Sequence, residues 1–126
     1  MTTGSLEDQY RAALKEYLDA RLGSREEYIA SSRLTAMSML LPAGVVRDIV
    51  NHESSACGAD PNVIQDFRTA IWKYLDAEDG SQEEARAMAD TETIGSLLPD
   101  NLATLVALEE GRAWETKKQS DRIFGS

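Results

Sequence analysis

The sequence predicts an all-α protein, a compact helical bundle built from two tandem, pseudo-symmetric three-helix repeats with a period of 57 residues. Three observations lead there. Ala, Leu, Glu, Arg and Asp are abundant while only three prolines and eight glycines occur among 126 residues, a mix that favours helices over strands or disorder. Apolar residues recur at the three- and four-residue spacing of a helical face. Most informative, the chain matches itself when shifted by 57 positions.

The match has no gap. Residues 10–20 (YRAALKEYLDA) lie over 67–77 (FRTAIWKYLDA), 23–27 over 80–84, and 40–42 over 97–99, with 14 identities in the 44 aligned positions from Glu7 to Val50. Tyr10/Phe67, Leu14/Ile71, Val45/Leu102 and Ile49/Val106 are close exchanges. Glycine, serine and proline all fall at matching offsets, which biased composition alone does not produce. A solenoid needs three or more repeats to bury its faces, so two copies are expected to close on each other as one domain, like a homodimer fused into a single chain. Repeat one is placed at about 5–53, a linker at 54–61, repeat two at about 62–114 and a tail at 115–126, with residues 1–4 as a loose terminus.

Each copy reads as three helices. In the first, Tyr10, Ala13, Leu14, Tyr17 and Leu18 gather on one face, and Phe67, Ala70, Ile71, Tyr74 and Leu75 repeat that face as core. Gly23 and Gly80 follow, where a left-handed stop costs glycine little. Ser24 with Glu27, and Ser81 with Glu84, then form an S-x-x-E capping box that starts a second helix. That helix carries Ile29, Ala36, Met37 and Leu40 on one side in copy one, while Thr91, Thr93 and Gly95 weaken its counterpart and predict a break near Asp90. Pro42 and Pro99 end it, because the residue before proline is pushed out of helical geometry, and suit the first turn of a third helix at about 43–53 or 100–118. Between the copies, SSACGADP is small and flexible and ends in an Asp-Pro helix start.

The formal charge of −9 argues against direct binding to nucleic acid or an anionic membrane, both of which need a basic surface. Copy one (1–57) has six basic and eight acidic residues, for −2; copy two (58–114) has four and twelve, for −8; the tail has three and two, for +1. The acidity is thus concentrated in copy two, either as a solubilising face or as a docking surface for a basic partner. Trp72 stands where copy one has Lys15, on the flank of the apolar stripe, where a tryptophan is a typical anchor. With Asp76, Glu78, Asp79, Glu83 and Glu84 it makes up the candidate partner-binding face. Burial against another helix or the tail is the competing reading for Trp72, and equally for Trp114.

Catalytic, cofactor and metal sites find no support in the residues. His52 is the only histidine and Cys57 the only cysteine, so a zinc site would lack ligands, and no Glu-x-x-His, calcium-loop, phosphate-loop or G-x-S-x-G pattern occurs. A lone cysteine and the absence of an apolar leader or an 18-residue apolar run suggest a cytoplasmic protein. Arg11 and Arg68, with Asp19 and Asp76, recur as matched polar pairs and are expected to form salt bridges. The tail, GRAWETKKQSDRIFGS, either extends the last helix or docks Trp114, Ile123 and Phe124 as an amphipathic arm, through which a homodimer is conceivable.

The expected function is therefore non-enzymatic: an adaptor, regulator or assembly factor that binds another protein, one with a basic surface. An acidic protein that imitates nucleic acid and blocks its binding protein, as phage or mobile-element products do, is the second expectation. A small-ligand binder using a crevice between the repeats is the third.

Overall fold

The computed structural model describes the backbone of residues 5–124, so the expectation for residues 1–4 lies outside the described residues. Six helices follow one another: α1 (Leu6–Asp19), α2 (Arg25–Ser38), α3 (Ala43–Ala56), α4 (Pro61–Asp76), α5 (Gln82–Gly95) and α6 (Asp100–Phe124). No strand occurs among the described residues, and the all-α prediction holds. The chain divides between Asp60 and Pro61 into two compact units, α1–α3 and α4–α6. In each unit the first helix is the hub, with the second packed on it most extensively and the third along its other side.

The core of unit 1 is built by most of the stripe that the spacing predicts, Leu18 being only half-buried, as are Tyr74 and Leu75 in unit 2. Tyr10, Ala13, Leu14 and Tyr17 of α1 are buried against Ala30 and Leu34 of α2 and Val46, Ile49 and Val50 of α3. Burial, helped by the nearby Glu27 carboxylate, pushes the Tyr17 phenol up to about 12. In unit 2 the matching stripe is Ile64, Phe67, Ala70 and Ile71, met by Ala87 of α5 and Leu102, Leu105 and Val106 of α6.

The starts of α2 and α5 repeat one local structure. Gly23 (φ 81°) and Gly80 (φ 78°) hold the third position of four-residue turns, where φ above zero favours glycine. Ser24 and Ser81 accept the amides of Glu27 and Glu84 at 3.1 Å, as a capping box requires. The returning arm differs from the expected box: each glutamate accepts from the glycine amide, at 3.0 Å, one residue before the cap.

Three expectations are corrected. Helix α5 is unbroken through Asp90 to Gly95. Thr91 stays helical by turning its hydroxyl back to the Ala87 carbonyl at 2.8 Å, and Gly95, the last helical residue, lies where a Cβ would come within 2.9 Å of the Phe67 ring. The predicted apolar side of α2 does not face the core: Ala30 and Leu34 do, while Leu40 is 71% exposed and Ile29 39%. The cap at Gly23, Ser24 and Glu27 fixes the first turn and so the rotation of the helix. The linker is shorter than 54–61, because α3 continues to Ala56 with Ser54 fully buried, leaving 57–60 between the helices. Of the two readings of the tail the first holds: α6, 25 residues long, runs through it to Phe124, and Ile123 near its end is exposed.

Candidate interaction surfaces

Unit 2 is closed along one edge by a polar seam between α4 and α6. Arg68, Trp72 and Asp76 rise one turn at a time on α4, and Glu110, Trp114 and Lys118 do the same on α6. At the buried end the Arg68 Nε lies 3.3 Å from Glu110 Oε2, with the two side chains only 5% and 2% exposed. Glu110 uses its other oxygen to accept the Trp72 indole N–H at 2.8 Å. One turn further out the roles reverse: the Trp114 N–H donates to Asp76 Oδ1 at 2.8 Å, and Lys118 Nζ reaches the same oxygen at 3.1 Å. The Lys118 ammonium also stands 5.4 Å from the centre of the Trp114 ring, a cation–π contact. The indole hydrogen bond, followed by Lys118, holds the Asp76 carboxyl below the ordinary carboxylate range.

This seam changes the reading of the six residues proposed as a partner face. Trp72 and Asp76 are turned to α6, and Glu84 is tied to its own helix start. Glu78, Asp79 and Glu83 are solvent-facing around the turn between α4 and α5, and Asp76, though bonded to α6, is still half exposed. The six are thus divided among the α4–α6 seam, the cap of α5 and the exposed turn between α4 and α5. The indole flank that resembled an anchor is the side on which α6 packs, and the matching position in unit 1, Lys15, points at Glu53 at 4.0 Å.

The matched arginines do form ion pairs, but with other acids than expected. Arg11 Nε lies 3.9 Å from Glu53 Oε1, as Arg68 does at 3.3 Å from Glu110, whereas Asp19 is exposed. Glu53 and Glu110 are themselves 57 residues apart, three positions beyond Val50 where the alignment was stopped. That identity was the available signal.

In unit 1 the open surface lies on α2. Between α1 and α2 runs a groove of about 450 Å³, with Ala12, Ala13, Ala36 and Met37 along it and Glu16 and Arg33 bridging it at 3.2 Å. Beside the groove, α2 turns an apolar stripe outward: Tyr28 (74% exposed), Ile29, Ala36, Met39 (74%) and Leu40 (71%), interrupted only by Ser32 and Arg33. The corresponding positions of α5 are Ala85, Arg86, Thr93, Ser96 and Leu97, with Ala89 and Asp90 between, a mostly polar set. Of the residues that the spacing places on one side of this helix, Ile29, Ala36 and Leu40 lie on this face and Met37 is half-buried beside it.

His52 and Cys57 are both exposed, and among the described residues no three metal-ligating side chains gather. No described helix is long and apolar enough to cross a membrane. No protein-family model, curated protein or solved structure matches the chain.

Proposed function

We propose that this chain is a non-enzymatic helical protein that acts by binding another protein chain, and that its partner docks on the outward face of α2. The observation that carries the reading is the stripe from Tyr28 to Leu40. Tyr28 and Ile29 near the start of α2, and Met39 and Leu40 at the turn that ends it, are large apolar side chains left exposed, although the same helix buries Ala30 and Leu34 on its other side. A contiguous exposed apolar surface of this kind is the mark of an association site. Its occupation by a partner would recover the hydrophobic free energy that the monomer forgoes.

We read the two units as pseudo-symmetric copies that have since specialised. Supporting this, α2 and α5 begin and end 57 residues apart, and both caps and both arginine–glutamate pairs recur at that offset. A charge reversal also supports it: Glu16 and Arg33 pair across α1 and α2, and the equivalent positions are Lys73 and Asp90, opposite in both signs. Unit 1 kept an apolar outer stripe; unit 2 took up a polar one and a longer last helix. The single cysteine suits a reducing, cytoplasmic setting.

The nucleic-acid-mimic reading is the weaker one, because three of the six carboxylates and indole groups it would share with an acidic face are engaged within unit 2. Photo-crosslinking residues placed at Ser32 or Ala36, in cells making the protein, test the docking site. Covalent adducts are expected from both positions and none from Gln119 on α6. Loss of those adducts in an Ile29→Glu, Leu40→Glu variant with unchanged helicity is the second expectation, and silence at both α2 positions would remove the proposal.

A further inference from the structure

We infer that the occupant of the α2 face is the α2 face of a second copy of this chain, packed antiparallel about a twofold axis. This rests on the docking reading above and names the partner. A twofold interface must be self-complementary, since each patch meets itself with its order reversed. The α2 stripe has that property. Ile29, Ser32, Ala36 and Met39 follow at spacings of three, four and three, a sequence of large, small, small, large that reads the same from either end. Met39, though it caps the helix, keeps helical backbone angles (φ −71°, ψ −17°) and so continues the stripe. Reversal places Ile29 against Met39 of the second copy, Ser32 against its Ala36, and Tyr28 against its Leu40.

Spacings of three and four are those at which two helices can stay in contact over several turns. The small pair at the centre lets the backbones approach to the short end of the usual 8–10 Å between helix axes. The large pairs, ten residues and so about 15 Å apart along each helix, close the two ends.

Charge permits the pairing. Between Tyr28 and Leu40, Arg33 is the one ionised group on the stripe, and it is already neutralised by Glu16 at 3.2 Å; Arg25, exposed one turn before Ile29 on the same face, falls at opposite ends of an antiparallel pair, so the twofold brings no like charges together at its centre. Unit 1 is also the less charged part of the chain: residues 1–60 carry six basic and nine acidic groups, for −3, against seven and thirteen, for −6, in 61–126. From the fractional exposures, Tyr28, Ile29, Met39 and Leu40 offer on the order of 600 Å² per copy, near the ~800 Å² per partner of a standard interface. An area at this lower end fits a reversible dimer.

Sedimentation of the purified full-length chain over a wide concentration range is the test. The 13.9 kDa species should pass to twice that mass as concentration rises, and high salt should leave the transition in place. Ala36→Glu, at an exposed position, should weaken dimerisation by roughly 100-fold or more, by placing two carboxylates at the axis, while far-ultraviolet circular dichroism stays the same. In a Cys57→Ser background, mixed Ser32→Cys and Ala36→Cys chains should form a disulfide-linked heterodimer faster than either forms a homodimer, as the reversed order requires. A monomer at every concentration, or a dimer indifferent to Ala36→Glu, overturns the inference. If the chain is monomeric yet crosslinkers at position 36 capture a different protein, the self-pairing is wrong and the docking site stands; if they capture nothing, both fall.

Discussion

Glu53 and Glu110 lie 57 positions apart and each stands by an arginine, but their surroundings set very different electrostatic demands. Glu110 and Arg68 are almost wholly out of water; one carboxylate oxygen accepts the Trp72 indole N–H and the other lies 3.3 Å from the Arg68 Nε, so the desolvation of the pair is offset only while both partners are present. Glu53 is buried too, yet its partners Arg11 and Lys15 are 40% and 66% exposed, and they stand at 3.9 and 4.0 Å. Removing the unit 1 glutamate therefore frees two cations that water can solvate. Removing the unit 2 glutamate strands a guanidinium and an indole N–H. Glu110→Ala is expected to cost about 3–5 kcal/mol in urea unfolding and Glu53→Ala about 1 kcal/mol or less. Equal losses would mean that the burial difference is energetically silent. The sequence made Arg68 legible as a paired group but not its partner. Asp76 shares α4 with Arg68, whereas Glu110 reaches Arg68 only because α6 packs along α4, a tertiary fact.

At the scale of elements, the first helices were the most legible because their pattern is nearly redundant: four or five apolar residues agree on one face in both copies. Helix α2 was misread since it has apolar residues on two faces, and spacing alone does not say which of them meets the core. Helix α5 was misread in the opposite sense, with propensity overweighted against packing on α4. The long end of α6 is held by contacts that no period reveals, because the positions 57 residues earlier fall after α3 has ended at Ala56. Those contacts converge on Asp76. Its folded pKa lies below 3.8, the ordinary value, so the ionised contact contributes fully above that pH and is lost as pH falls through the lowered folded pKa. On acidification below 3.8, backbone amides from Trp114 to the end of α6 should exchange faster, with a change in Trp114 fluorescence. Asp76→Asn should show the looser behaviour already at neutral pH and lose the acid transition. An Asp76→Asn variant that still shows the transition would place its origin elsewhere.

For the whole molecule, divergence between the units predicts a division of stability. A unit of about 60 residues buries only some 60% of the surface its unfolded chain exposes, so each half on its own sits close to the limit of independent folding. Unit 2 adds to its core a 25-residue last helix and the seam from Arg68 to Lys118; unit 1 has a 14-residue last helix, half-solvated ion pairs and its apolar stripe in water. The residues that make unit 1 the better binding surface are the ones whose burial it forgoes as a monomer. Separate fragments 1–60 and 61–126, cut where the compact units meet, should therefore behave differently on heating. Fragment 61–126 should melt cooperatively at a temperature independent of concentration. Fragment 1–60 should melt lower when dilute and gain several degrees with each tenfold rise in concentration, because a self-association that selects the folded state stabilises it by mass action. Ala36→Glu in fragment 1–60 should abolish that dependence without lowering the dilute melting temperature, since the side chain is exposed in the monomer. Were the dilute 1–60 fragment the more stable of the two, the outward stripe would carry no cost, and the argument from exposure to association would lose its footing.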